Sequence, residues 1–290
     1  MSKKLIREPK KRIVVSFSGG ETSALMLEKI LNEYSKTHEI KVVFANTGEE
    51  NEETLEFVNN VSKELNVDII WLEYDGHLKF KEVNFETAYR SHDLKEIANK
   101  WQNHPFRKFI EVYGLPNIKI PTCSRELKER TIDRYLRSIG WLPITRTKAI
   151  GIRADEMDRI QGGNWYPLVK WGIIKQMVNI HWDNKPFRLN LKGYQGNCKT
   201  CYKKSLRKLV TLYRENPFQF EFFKQMEIEF GKDYNLFREN NSVKDIRRMS
   251  KDKSIQNAVD DSINYNYQTS IFNGMELDIS NGCSESCEAE

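Results

Sequence analysis

Apolar positions in the first quarter of the chain alternate between two periods. Arg12 to Phe17 (Arg-Ile-Val-Val-Ser-Phe) is a short, β-branched apolar run that stops at Ser18-Gly19-Gly20. A helical spacing follows at once, with Ala24, Leu25, Leu27, Ile30 and Leu31 on one face. Ile40 to Ala45 is a second apolar run, ending at Asn46-Thr47-Gly48. Glu53 to Leu65 reads as a helix with Leu55, Phe57, Val58, Val61 and Leu65 inward, and Val67 to Leu72 as a third strand. Strands alternating with helices predict a doubly wound, mostly parallel α/β sheet. Near-continuous apolar strands fit a sheet covered on both faces.

Beyond this point the pattern is less regular. Phe85 to Tyr113 reads as largely helical with a break at Pro105, and Trp101 and Phe109 as core. Pro116 and Pro121 bracket an extended loop, Arg125 to Ile139 is a charged amphipathic helix, and Lys148 to Ile152 is a strand. Short helices are expected over Ile173 to Ile180 and Tyr202 to Tyr213. Phe218 to Phe230 is aromatic-rich and reads as a packing helix, not a base-stacking platform. From about Asn240 the sequence is polar and low in order signals. The organisation is then a basic segment over 1–11, a nucleotide-binding unit over 12–215, a helical extension over 216–270 and a cysteine-containing tail over 271–290.

Composition narrows the class. With 39% hydrophobic and 30% charged residues and a mean hydropathy of −0.66, the chain has a soluble, globular balance. No apolar run reaches the ~18 residues needed to cross a bilayer, and the N-terminus lacks the apolar stretch of a secretory signal, so a cytoplasmic location without membrane contact is expected. The net charge of +5 suits an anionic ligand such as a nucleotide and permits contact with nucleic acid without demanding it. Its densest basic run after the N-terminus, Lys203 to Lys208, reads as a solvated face. Five cysteines, an odd number, point to metal or redox use more than to a disulfide framework.

The chemistry begins at the first strand. A strand, then Ser-Gly-Gly, then a helix can bind an anion, because glycine backbone approaches a phosphate closely and the helix start offers free N–H groups. The hydroxyls of Ser18 and Ser23 can add hydrogen bonds, and Thr22 can help as a cap. On spacing alone, an ordinary strand–helix turn is an equal reading.

Val14-Val15-Ser16-Phe17-Ser18-Gly19-Gly20-Glu21-Thr22-Ser23 resembles the PP-loop of the adenine nucleotide α-hydrolase superfamily, which reads Ser-Gly-Gly-x-x-Ser after the first strand. Glu21-Thr22 stands where that loop commonly has Lys-Asp. Asn46-Thr47-Gly48-Glu49-Glu50 followed by Glu53-Thr54 resembles the Asp-Thr-Gly-x-Glu…Glu-Thr stretch of the phosphoadenosine phosphosulfate (PAPS) reductase family, with Asn46 for the usual aspartate. Pro121-Thr122-Cys123-Ser124-Arg125-Glu126-Leu127-Lys128 is similar to that family's Cys-Cys-x-x-x-Lys, with Thr122 at the first cysteine. Gly151-Ile152-Arg153 through Arg159, Tyr166-Pro167-Leu168 through Trp171, and Gly196-Asn197-Cys198-Lys199-Thr200-Cys201 resemble three further segments, the last being the Cys-x-x-Cys of cluster-bearing members.

The resemblance implies an adenine nucleotide α-hydrolase-like fold and a nucleotide site at Ser16, Ser18, Gly19, Gly20, Glu21, Thr22, Ser23, Asn46, Thr47, Gly48, Lys128, Gly151, Arg153 and Arg159. Arg153 and Arg159 can pair with phosphate or sulfate oxygens in bidentate fashion, or instead form surface ion pairs with Asp155 or Glu156. Glu50 is a candidate for ribose or metal, or a carboxylate beside a helix start. Cys123, Cys198 and Cys201 are the expected metal ligands, for a [4Fe–4S] cluster or, as the alternative, zinc. Cys123, Cys283 and Cys287 are the candidate catalytic thiols. Glu285 and Glu288 would disfavour a tail thiolate, and the tail lacks the histidine of the reductase nucleophile segment.

Three functions remain open. An intact pair of glycines and Ser23 favour ATP with Mg²⁺, used for adenylation coupled to sulfur transfer, with a sulfur or electron donor protein and a possible nucleic-acid acceptor. A thiol-dependent reductase would release sulfite from PAPS or its unphosphorylated relative APS. Glu21, Thr22 and Asn46 would also suit a nucleotide-binding regulator that lost its chemistry.

Overall fold

The computed structural model describes residues 9–117, 122–231, 237–238 and 241–260. Its centre is a five-stranded sheet built from β1 (Arg12–Phe17), β2 (Glu39–Asn46), β3 (Ile69–Tyr74), β4 (Phe80–Val83) and β5 (Arg146–Ala149), in the order β4-β3-β2-β1-β5. The pairs β1·β2, β1·β5 and β2·β3 are parallel, and β4 adds an antiparallel edge to β3. The fold is therefore α/β with a mostly parallel sheet.

Both faces are covered, and the alternation within β1 shows how. Ile13, Val15 and Phe17 join one apolar cluster with Leu25, Leu27 and Ile30 of α1 (Glu21–Tyr34) and Leu55, Val58 and Val61 of α2 (Glu52–Glu64). Val14 turns to the opposite face, where Val43 and Leu72 meet Ile132, Tyr135 and Leu136 of α5 (Thr131–Ser138). Adjacent strand side chains point to opposite faces, so a run apolar at every position must be buried on both.

A second core lies beyond the sheet. It joins Phe106, Phe109 and Ile110 of α4 (Pro105–Tyr113) to Leu209 and Leu212 of α8 (Leu206–Glu215), Phe222, Phe223 and Met226 of α9 (Glu221–Phe230), and Ile246 of α10 (Val243–Met249). Phe218 to Phe230 does supply packing residues, as its pattern suggests, split between a short 3₁₀ turn at Pro217–Phe220 and α9.

Several expected boundaries shift. Between Phe85 and Tyr113 only α3 (Leu94–Ala98) and α4 are helical, and Pro105 opens α4 instead of breaking a helix. Proline's missing N–H is harmless at a first helical position, and His104 caps that start by accepting from the Phe106 N–H at 3.1 Å. The helix expected over Arg125 to Ile139 is a π-helical stretch, Ser124–Arg130, running into α5. The region from Ile173 resolves into α7 (Lys175–Asp183), preceded by the single turn α6 (Pro167–Lys170). Helix α10 lies within the expected helical extension despite its polar sequence, started by a Ser242–Asp245 capping box.

Candidate functional site

The turn between β1 and α1 follows from two glycines and two serines. Gly19 has φ +82° and sits against α2: a Cβ there would lie 2.7 Å from Thr54 Cγ2 and 3.2 Å from Phe44 Cε2. Glycine is needed for both the backbone conformation and the close approach. Ser23 Oγ donates to the Gly20 carbonyl at 3.0 Å, accepts from the Ser18 N–H at 3.3 Å and lies 2.8 Å from Ser18 Oγ. These bonds close the turn on itself. Gly20 caps α1, with no side chain bonded to the helix start. The leading N–H groups of a 14-residue helix thus face outward at the end of a central strand, the place where open α/β sheets bind ligands. Thr22 is not a cap; its hydroxyl accepts from Arg153 Nη1 at 3.3 Å.

Glu21, at the position of the common lysine, is an anchor. Its carboxylate accepts from Arg188 Nε at 3.1 Å, Arg188 Nη2 at 3.2 Å and the Leu189 N–H at 3.2 Å. Its carbonyl accepts from Trp182 Nε1 at 2.9 Å. A cavity of about 310 Å³ adjoins this ion pair, lined by Glu21, Glu53, Arg188 and Asn197 among others.

The end of β2 forms the second wall. Asn46 is fully buried: its Oδ1 accepts from the Gly48 N–H at 3.0 Å, and its Nδ2 donates to Glu73 Oε1 at 2.7 Å and the Tyr89 carbonyl at 3.1 Å. An aspartate could not supply that Nδ2 donor, and Glu73 would face a second carboxylate. The usual acid and this asparagine are therefore not interchangeable here. Gly48 (φ +84°) approaches His104 so closely that a Cβ would sit 2.6 Å from its ring. Glu50 is turned inward, accepting from the Thr47 N–H at 2.8 Å and from Thr47 Oγ1, with Lys128 Nζ 3.6 Å away. Asn51, not Glu50, caps α2.

Arg153 forms the ion pairs its sequence neighbours allow and also reaches the turn. It pairs with Asp155 at 3.0 Å and Glu156 at 3.4 Å while reaching Thr22 in the turn. Arg159 bonds Glu156 at 2.7 Å, one step farther out. Gly151 is buried just after β5, and Ser16 lies within β1 opposite Val43.

The cysteine segment is laid directly on this wall. Residues Gly196 to Lys199 run antiparallel to Glu49–Asn51: the Lys199 N–H donates to the Glu49 carbonyl at 2.8 Å, and the Asn51 N–H to the Asn197 carbonyl at 3.0 Å. Asn197 Nδ2 donates to the Ser18 carbonyl at 3.0 Å, tying the segment to the turn. Cys198 and Cys201 interact through their thiols. That interaction foremost, then Lys204 and Lys203, lowers the Cys201 thiol to about 6, while Cys198 is pushed up as the partner that keeps its proton. Cys123 lies 3.5 Å from the Tyr202 hydroxyl, and burial, reinforced by Cys201, pushes its thiol up. Lys204 corrects the solvated-face reading of Lys203 to Lys208. It is 2% exposed, donates to the Cys198 carbonyl at 2.5 Å and pairs with no carboxylate among the described residues. Its burial lowers its own pKa, against the pull of the two thiols.

Among the described residues, no three of His, Cys, Asp and Glu are grouped to hold a single metal ion. Cys123, Cys198 and Cys201 are soft thiols that would suit an iron–sulfur cluster or zinc better than a hard cation, and Lys204 stands beside Cys198. Cys283 and Cys287 lie outside the described residues. Sequence reasoning gave no site role to Glu49, His104, Arg188, Asn197 and Lys204; Glu49 and Asn197 lie inside quoted motifs, but like His104 and Arg188 they bond a partner distant in sequence.

Comparison with known proteins agrees with this geometry. The chain is 30% identical over 198 residues to an uncharacterised nin-region protein of Escherichia phage lambda, covering 68% of this chain and 67% of that one. It is 25% identical over 232 residues to an uncharacterised protein of Methanocaldococcus jannaschii, covering 78% of this chain but 44% of the longer relative. Among the described residues no helix is long and apolar enough to cross a membrane. A family model for the phosphoadenosine phosphosulfate reductase domain matches residues 12–156, half of the 290-residue chain and all of the sheet with its phosphate-sized turn. This chain belongs to the phosphoadenosine phosphosulfate reductase domain family.

Proposed function

We propose that the protein binds ATP with its phosphates on the Ser18–Ser23 turn and uses it to adenylate an acceptor oxygen for sulfur transfer. The observation that carries this reading is the bond from Asn197 to Ser18, which puts the residue before Cys198 in contact with the phosphate turn. Nucleotide and thiol chemistry would then share one site.

In the first step the acceptor oxygen attacks the α-phosphorus and pyrophosphate leaves. In the second a sulfur nucleophile displaces AMP, breaking the carbon–oxygen bond and forming carbon–sulfur. The turn's N–H groups and Arg153 stabilise charge on the phosphates, with Mg²⁺ carried in by the nucleotide. Arg188 takes up the charge of Glu21, so that carboxylate does not stand unpaired against the phosphates. Lys128 lies beside Glu50, within reach of the same wall. Cys123, Cys198 and Cys201 would hold a [4Fe–4S] cluster, whose chemistry would supply a soft site for the transferred sulfur, with Lys204 offsetting thiolate charge.

Anaerobic purification with iron and acid-labile sulfide analysis, followed by assay of pyrophosphate release from ATP, tests the reading. Iron, sulfide and pyrophosphate are expected. Zinc without sulfide would replace the cluster by a structural site. Sulfite from PAPS or APS, lost on Cys283→Ser or Cys287→Ser, would replace ATP chemistry by reduction. Nucleotide binding without turnover would leave a regulator.

A further inference from the structure

Lys199 lies between the two cysteines of the Cys-x-x-Cys segment, yet its side chain turns to a different cavity. It is 8% exposed. Its ammonium donates to Ser91 Oγ at 2.9 Å, and no carboxylate pairs with it among the described residues. An ammonium carries three donors, so two remain for another partner. A buried cation with neither water nor counter-ion is costly, and the fold does not relieve this one by pairing.

The cavity has a volume of about 240 Å³ and is lined by Lys199, Ser91, His92, Trp101, Phe218 and Phe222 among others. Two of its aromatic walls are fixed. Trp101 is buried and donates from Nε1 to the Ser91 carbonyl at 2.9 Å, and Phe222 stacks on His104 at 4.0 Å. The third, Phe218, is 47% exposed at the mouth. The start of α2, capped by the Asn51 backbone without a side-chain bond, adds the positive end of a 13-residue helix. Two carboxylates also border the space. Glu52 is held by Arg90 Nε, 2.9 Å from each oxygen, and so adds little net charge. Glu53 is exposed at the rim and would disfavour a ligand with charge spread over its outer end. His92 is kept neutral, first by burial and then by the charge of Lys199.

A single buried positive charge, flat apolar walls and a volume below that of most drug-sized pockets select a small planar ligand with one charge at its inner end. We propose that this cavity binds a small aromatic carboxylate, its carboxylate on Lys199 Nζ and its ring between Trp101, Phe218 and Phe222. The cavity shares Glu53 with the one beside Glu21, but the proposal does not rest on ATP chemistry.

Equilibrium binding of benzoate and of its neutral analogue benzamide to the full-length protein, read by calorimetry, tests this. Benzoate is expected to bind, and benzamide at least about tenfold more weakly, as a lost charge-assisted hydrogen bond implies. Lys199→Met should bring benzoate down to the benzamide level. Phe218→Ala, a substitution at an exposed position, should weaken both ligands about equally, and it keeps the test open should Lys199→Met fail to fold. Equal affinity for benzoate and benzamide, benzoate binding untouched by either substitution, or no binding at millimolar benzoate would each overturn the proposal.

Discussion

The two cores of this molecule are built on different principles. The sheet core is mainly aliphatic and repeats through backbone register: Ile13, Val15, Leu27, Val42 and Val58 fill layers whose spacing the strands set, with rings such as Phe44 and Trp71 packed among them. The second core is aromatic and depends on individual rings, with Phe223 placed 5.2 Å from Phe106 and 5.1 Å from both Phe222 and Phe237. The proposed function divides the same way. The turn would hold phosphates through main-chain N–H groups, which makes its glycines the residues to test. The cysteine site would act through side chains, drawn from positions as distant as Cys123 and Cys201. Asn197 to Ser18, the strand-like pairing of Cys198 with Glu50, and His104 to Glu49 tie the regions together, while Glu21 to Arg188 ties the turn to a segment whose Phe187 and Leu189 pack in the sheet core.

The largest expected effect tests whether those links make one cooperative unit. Phe223→Ala removes a ring that is 2% exposed and should cost about 3–5 kcal/mol. If the cores are coupled, urea unfolding followed by both far-UV and near-UV signals shows one transition moved to lower denaturant. Two separated transitions, with the sheet unaffected, would break the comparison into independent domains. The next effect strikes the anchor of the turn. Glu21→Lys restores the common residue of the loop but sets it against Arg188 in a site where Glu21 is 3% exposed. Removing one partner of such a pair and reversing its charge should cost about 3 kcal/mol, even with Arg188 partly in solvent. Unchanged stability, together with gained nucleotide affinity, would mean that Arg188 is not an anchor.

These contrasts explain what the sequence makes legible. Strands β1, β2 and β3 are visible because two-faced burial leaves an unbroken apolar run, and the turn because only glycine tolerates its backbone. Strand β4 is not visible: Phe80-Lys81-Glu82-Val83 is short and half polar, and its place comes from pairing with β3. Strand β5 is displaced from the expected Lys148–Ile152 for the same reason. Register with β1 fixes Arg146–Ala149 in the sheet, while Ile150 and Ile152 are buried elsewhere, against Tyr166 and Val169. An apolar pattern says that a residue is buried, not against what. Lys204 is the opposite failure. A lysine in a basic run reads as solvated, and only the fold of the Cys-x-x-Cys segment, whose Cys198 carbonyl it bonds, gives it a reason to be inside.

Gly19→Ala probes the main-chain half of the comparison. The added methyl meets Thr54 at 2.7 Å and the φ of +82° is strained for any side chain, so about 2 kcal/mol of stability should be lost. Nucleotide affinity, measured by equilibrium dialysis with ATP, should fall more than stability alone explains, because the turn must open to relieve the contact. Full affinity with reduced stability would place the phosphates elsewhere.

The smallest effect concerns the seam itself. His104 is fully buried, and its Nδ1 accepts from the Phe106 N–H, so the proton sits on Nε2, which faces Glu49 Oε1 at 3.1 Å. Burial lowers its pKa below the ordinary 6.5, and the bond to Glu49 opposes that shift without cancelling it. Above 6.5 the ring is neutral in both folded and unfolded chains and the fold suffers no penalty. As pH falls through 6.5 the unfolded chain takes up a proton that the folded chain refuses, so stability declines until the lower folded value is reached. The slope in that window is at most about 1.4 kcal/mol per pH unit for one proton. His104→Gln keeps an acceptor for the helix start and a donor for Glu49 but cannot titrate. Urea unfolding from neutral to mildly acid pH should show a flatter decline for the variant. An equal slope would mean that His104 takes up its proton at the same pH in the folded and unfolded chains, the bond to Glu49 then cancelling the effect of burial.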